Sequence, residues 1–170
     1  AVVQCLTTDR EGAMSSEADV SDQIATIKEQ EQRLIFPSFS HADAWRLGGV
    51  IMELATTRGL GIAWDVSRGD QIVAHGATEG SNASNDLWIA RKIRLAKLTN
   101  SSTLRVRLEA QASGRNPADW LEPYQYAIAG GCFPIRVAGG AIVGTATVSG
   151  LPDTEDHALV VEAIEAFLGA

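Results

Sequence analysis

Phe133-Pro134-Ile135-Arg136-Val137-Ala138-Gly139-Gly140-Ala141-Ile142-Val143-Gly144-Thr145-Ala146-Thr147-Val148-Ser149 is the stretch that decides the fold. Phe133, Ile135 and Val137 alternate with Pro134 and Arg136, the period-two pattern of a half-buried strand. Gly139-Gly140 supplies the tight turn of a hairpin, and Ala141 to Ser149 runs back. On the returning strand Ile142, Gly144, Ala146 and Val148 share one face, and Val143, Thr145, Thr147 and Ser149 share the other. The small residues on both faces leave room for a helix or a ligand to come close.

Working outward, a second hairpin stands upstream. Ile62, Trp64 and Val66 alternate with Ala63, Asp65 and Ser67, and Arg68-Gly69-Asp70 turns the chain into Gln71-Ile72-Val73-Ala74-His75. The Arg-Gly-Asp triplet is turn chemistry here rather than an adhesion signal. A short strand, Leu34-Ile35-Phe36, is ended by Pro37.

Helical patterns fill the intervals. Ser16 with Asp19 resembles a capping box before the stripe Val20, Ile24, Ile27, a narrow seam that suits a neighbouring subunit as well as the chain's own sheet. Ser40 and Asp43 cap the best-defined helix, with Ala44, Leu47, Ile51 and Leu54 apolar, Arg58 in the last turn and Gly59 after it. Gly48-Gly49 in its middle costs ~1 kcal/mol each against alanine, which close packing on a sheet must recover. Asn85 is expected to cap a third helix, broken at Thr99–Ser102 and resumed from Thr103 to Ala112. Residues 115–130 are a connection rich in aromatics that should pack down. Asp153 or Thr154 is expected to cap a final helix carrying Val160, Ala163, Ile164, Phe167 and Leu168.

The order is helix, strand, helix, two strands, two helices, two strands, helix. That is an α/β chain of the α+β type, with a largely antiparallel central sheet of about five strands flanked by helices. Residues 1–15 lack periodicity and are expected to be a flexible lead-in to a single domain at 16–170. At 170 residues the chain has material for one core without staples.

Composition narrows the partners. A net charge of −7 argues against nucleic acid, which needs a positive footprint. No apolar run approaches the ~20 residues of a membrane span, and the opening six residues are too short for a signal-peptide core. A cytoplasmic protein is the expectation. Cys5 and Cys132, far apart and outside any Cys-x-x-Cys pattern, read as two reduced thiols.

Five motifs in order carry a family resemblance: Phe36-Pro37-Ser38-Phe39-Ser40 with Asp43-Ala44; Asn85-Asp86-x-Trp88-Ile89-x-Arg91-Lys92; Ser101-Ser102; Gly130-Gly131-Cys132-Phe133-Pro134-Ile135; and Val148-Ser149-Gly150-Leu151-Pro152 with Asp156-His157. Over residues 33 to 168 the chain resembles the haem-degrading domain family, in its branch of short stand-alone microbial proteins. The resemblance implies a profilin-like fold, homo-oligomeric assembly, and haem or a related tetrapyrrole as ligand, with no other cofactor. Asp153 stands where the family pattern has Gln.

Candidate site residues follow. His41, His75 and His157 show no metal-binding spacing, so no preformed zinc site is expected. His41 and His157 sit in first turns of predicted helices, where the positive helix end favours the neutral imidazole that can bind iron. His157 or His41 is therefore the candidate haem ligand, and a capping or surface role is the alternative; His75 reads as structural. Arg91, Lys92, Arg94 and Lys97 are four cations within seven residues. Arg91 and Lys92, which the family motif includes, are the candidate partners of haem propionates. A solvated helix face or an ion-pair seam between subunits is the alternative for this group. Ser149 and Gly150 offer backbone N–H groups to a ligand, or simply form a turn. Trp88, Trp120, Phe36 and Phe133 read as core, with walls for a flat apolar ligand as the alternative. No catalytic constellation is visible, so catalysis is left open. A small-ligand binding protein, a homo-oligomeric scaffold or protein-interaction module, and a sensor of a small organic acid are the three readings the sequence allows.

Overall fold

The alternation along the strands sorts the side chains into one apolar and one polar sheet face. The computed structural model describes residues 5–169, with side chains from residue 17 onward. Its sheet consists of β1 (Ile35–Phe36), β2 (Ala63–Arg68), β3 (Gln71–Ala77), β4 (Cys132–Val137) and β5 (Ile142–Ser149), in the spatial order β1-β4-β5-β2-β3. Both expected hairpins are present, with Gly69, Gly139 and Gly140 at positive φ in their turns. β1 runs parallel to β4, so the sheet is mixed, with four antiparallel strands and one short parallel edge.

Five α-helices are described: α1 (Cys5–Arg33), α2 (His41–Arg58), α3 (Ala83–Thr99), α4 (Thr103–Ser113) and α5 (Asp153–Leu168). α2 has the capping box read from Ser40 and Asp43, and Gly59 closes it in the left-handed conformation. Two caps differ from expectation. α3 is capped by Asn82, and Asn85 is the third residue of the helix, reaching back to the Asn82 amide. α5 has Pro152 at its cap position, whose side chain offers no acceptor, and Asp153, already inside the helix, accepts from the Gly130 amide and pairs with Arg107.

α2 and α5 cover the apolar face. Leu47, Ile51, Val66, Phe133, Ile135, Val148, Val160 and Ile164 form one cluster there, each contributing roughly 1.5–3 kcal/mol by burial. Gly48 shows why α2 tolerates glycine in its middle. A Cβ there would collide with the Trp64 indole, and one on Gly76 would meet the same ring at 2.7 Å. The two glycines make the slot for Trp64, whereas Gly49 faces open space.

The other face lies under α3 and is polar. Asp65, Ser67, Thr145, Thr147 and Ser149 are all buried there with Cys132. The Ser67 and Thr145 hydroxyls bond each other at 2.7 Å, and Thr147 donates to the Cys132 sulfur at 3.1 Å.

α1 begins at Cys5, so Ser16 lies within the helix rather than at its cap; residues 1–4 of the expected lead-in lie outside the described residues. Val20, Ile24 and Ile27 pack on Leu104 and Leu108 of α4 in the same chain. Buried Glu31 then accepts from the Ser102 amide at 2.7 Å and from Arg105 at 2.8 Å. It satisfies the free N-terminus of α4, whose own Ser102 side chain makes no cap bond.

Candidate functional site

The interruption between β5 and α5 exists because Gly150, at φ 148°, takes a backbone path that L side chains rarely adopt, and a Cβ there would strike the Gly61 carbonyl. The turn is held by Asp156, which accepts from the Leu151 amide at 3.0 Å and also from the Gly150 amide. The same carboxylate takes a hydrogen bond from Lys92 of α3 at 2.8 Å, with both side chains about 3% exposed. Lys92 also donates to the Val148 carbonyl at 3.0 Å. Burial raises the Asp156 carboxyl above its ordinary range, and Lys92 with the two amides pulls it back. Gly131 makes this pair fit, since a Cβ on it would stand 2.7 Å from the Lys92 nitrogen.

Beside the pair opens a cleft of about 260 Å³. Asn85, Trp88 and Lys92 line it from α3, and Ser149, Gly150 and Asp153 from the turn and α5. Two motifs more than fifty residues apart in sequence thus converge on one place.

Of the expected ligand-binding residues, Lys92, Ser149 and Gly150 line this cleft. Arg91 borders it through Trp88, with its guanidinium 4.7 Å from the ring centroid. Its donors go to the Pro123 and Tyr126 carbonyls. His157 does not line the cleft. Its ring packs on Phe133, and its Nε2 donates to Gln30 of α1 at 3.0 Å, leaving Nδ1 buried without a partner. Burial pushes this imidazole down to about 4, so it is neutral at neutral pH. His41 is exposed at the start of α2 and outside the cleft. His75, on β3, lies 3.4 Å from Asp86 of α3.

The basic cluster is used within the chain. Arg91 and Arg94 bind carbonyls of the 115–130 connection, Lys97 binds Gly69 and Asp70 of the β2–β3 turn, and Lys92 is the buried partner of Asp156. Arg91, Arg94 and Lys97 each tether a loop to α3, and Lys92 ties it to β5 and α5. The connection does pack down through Leu121 and Ala127, but Trp120 and Trp88 are exposed; of the four expected core aromatics, only Phe36 and Phe133 are buried.

Sequence reasoning missed Asp156 and Asp65. Asp156 stands inside the quoted motif beside His157, and its register one turn into a helix was the available signal. Asp65 is buried, and its Oδ1 has no hydrogen-bond partner. Burial pushes its carboxyl up to about 6, against the pull of His75 and Lys97.

Comparison with known proteins adds the family. The sequence model of the HbpS-like haem-degrading proteins matches residues 39–165. This chain belongs to the HbpS-like haem-degrading protein family. Within reach of this family are UPF0303 proteins of Streptomyces coelicolor, 44% identical over 91% of this chain and 99% of the relative, and of Brucella anthropi, 42% identical over 92% and 94%. The Ybr137w protein structure superimposes with a TM-score of 0.82 at 22% identity, covering 94% of this chain and 96% of the other. The PduOC:heme complex does so with a TM-score of 0.64 at 15% identity, covering 76% and 94%. At these identities the structures share the HbpS-like fold.

The family's name raises haem, and the residues here do not compose a site for it. The cleft, at about 260 Å³, falls below the roughly 300–1,000 Å³ of ligand pockets. It holds no imidazole, His157 is shut behind α1, and Lys92 has its donors turned to Val148 and Asp156.

Proposed function

We propose that this chain is a small-ligand binding protein of the HbpS-like family, with the ligand held in the cleft between α3 and the β5–α5 turn. The observation that carries this reading is the convergence of Asn85, Trp88, Lys92, Ser149 and Gly150 around the buried Lys92–Asp156 pair. Trp88 provides a flat apolar wall, and Asn85, Ser149 and Asp153 provide polar atoms that orient a guest. Haem or a related tetrapyrrole is the first ligand class to test, on the strength of the family name and the haem-bound neighbour and not of the cleft lining, which does not itself select it. Its iron would need an imidazole from outside the cleft, and both His41 and His75 are exposed. The resemblance also supports homo-oligomeric assembly. A non-catalytic homo-oligomeric scaffold is the second reading, favoured by exposed Trp45 and Met52 on α2.

The test is a titration with hemin and with iron-free protoporphyrin, read by absorbance and by tryptophan emission. Saturable binding near one equivalent per chain that Trp88→Ala abolishes supports the cleft. A saturable, shifted Soret band that survives Trp88→Ala but is lost in His41→Ala puts haem on α2 and overturns it. Weak, unsaturating changes with both probes remove tetrapyrroles as the ligand class and leave the scaffold reading.

A further inference from the structure

Reading outward along α2, the solvent side is as regular as the core side. Ala42, Trp45, Gly49, Met52 and Thr56 are all exposed, at alternating spacings of three and four. That is the a/d pattern of a helix that packs against another helix, and it lies about a third of a turn around the helix from the buried stripe Ala44, Leu47, Ile51, Ala55 that meets the sheet. Small residues occupy one set of positions (Ala42, Gly49, Thr56) and large apolar ones the other (Trp45, Met52). Trp45 is 59% exposed, an unusual position for an indole without a partner.

We infer that this stripe is the face on which a second copy of the chain docks, the two α2 helices packing antiparallel about a two-fold axis at Gly49. It deepens the assembly reading by naming the face, and it does not depend on what the cleft binds. Three observations select this occupant and this orientation. A knob at Trp45 needs a hole made by four residues of the facing helix, and Gly49, Met52, Glu53 and Thr56 form such a diamond. Seating one copy's Trp45 there, and the other's reciprocally, puts the axis midway, at Gly49. Second, a Cβ built on Gly49 meets nothing within its own chain, so the helix interior loses ~1 kcal/mol against alanine for no gain inside the monomer. At the axis that missing side chain lets the backbones close to about 8 Å. Third, Arg46 and Glu53 flank the stripe on the same side, and both are exposed, with Arg46 resting on Asp43 of its own helix and over the Phe167 ring. In the antiparallel pair Arg46 of each copy faces Glu53 of the other, whereas in a parallel pair each would face the positions of Gly48 and Ala55 and find no charge to meet.

The experiment is sedimentation equilibrium on the full chain without added ligand, from low micromolar to submillimolar concentration. The expected result is self-association that Trp45→Glu weakens by roughly 30-fold or more, the usual loss for a buried aromatic anchor. Trp45 is exposed in the monomer, so this variant keeps its circular dichroism and melting behaviour. Glu53→Arg and Arg46→Glu each weaken association, and the double variant restores it. Gly49→Cys forms a covalent dimer on mild oxidation in a Cys5→Ser background, because residues facing across the axis fall within the roughly 4.4–6.8 Å Cα separation of a disulfide. A chain that stays monomeric throughout overturns this inference and the assembly reading together. Association unchanged by Trp45→Glu, with no Gly49→Cys dimer, overturns the inference alone and places the contact on another face.

Discussion

Lys92 of α3 and Asp156 of α5 meet 2.8 Å apart inside the protein, sixty-four residues apart in sequence, and between them they fix where the β5–α5 turn lies. A buried pair contributes little over an apolar replacement, but breaking it is costly because the surviving charge has no partner. Lys92→Met is therefore expected to lose about 3–5 kcal/mol in urea unfolding. Lys92→Met with Asp156→Asn should recover about 2 kcal/mol of that, since the amide keeps an acceptor for Leu151 without the charge. Equal losses in the single and double variants would show that the pair contributes through packing alone.

Asp65 and His157 make opposite demands on pH. Asp65 has a carboxyl raised to about 6, so the folded state takes up its proton before the unfolded chain does, and stability rises as pH falls from above 6 towards 4. His157 is lowered to about 4, so the unfolded chain takes up that proton first, and stability is lost as pH falls from about 6.5 to 4. The two slopes nearly cancel in the parent protein. Asp65→Asn should gain on the parent as pH rises from 5 to 7.5, by about 1.4 kcal/mol. His157→Gln should gain on the parent as pH falls from 6.5 to 4, by up to ~3 kcal/mol. Thermal melts at half-unit pH steps read both, and parallel curves for parent and variants would refute the assignment.

The adjacent glycines of α2 should answer substitution with opposite signs. Gly48→Ala drives a methyl into the Trp64 ring, which the core holds in place, and should cost about 1–3 kcal/mol. Gly49→Ala fills open space and should stabilise the dilute monomer by up to ~1 kcal/mol. Chemical denaturation at submicromolar protein distinguishes them.

Cys132 is buried, and burial pushes its thiol up to about 12. In a Cys5→Ser background, iodoacetamide at pH 8 should leave the native protein unmodified and label one thiol once the chain is unfolded. Labelling at the same rate in both states would contradict the burial.

Much of this architecture was legible in the residues because local chemistry specifies it. The β4–β5 hairpin follows from alternation plus Gly139-Gly140, and α2 from Ser40, Asp43 and Gly59. The α3–α4 break also fell where the polar residues Thr99–Ser102 put it. Caps were less readable, since Asn82 and Asn85 carry the same chemistry three residues apart and only the backbone decides between them. The site was legible as motifs but not as roles. Nothing in the one-dimensional order says that Arg91 spends its donors on Pro123 and Tyr126, that Lys92 turns inward, or that His157 faces Gln30. Those outcomes depend on loops and helices that arrive from elsewhere, and a basic cluster on a helix looks the same whether it tethers loops or meets water.

Glu31 has a bearing on where this protein can be cut. The stretch shared with the HbpS-like family begins at residue 39, yet Glu31 supplies the acceptor for the Ser102 amide, and Val20 and Ile27 roof over Leu104 and Leu108. A chain trimmed to residues 39–165 would keep the whole stretch that the family model matches and expose a greasy furrow along α4, with a raw amide at its head. Such a fragment would tend to clump. The span of a family model and autonomy in folding therefore draw their borders in different places, and here the folding border runs through α1.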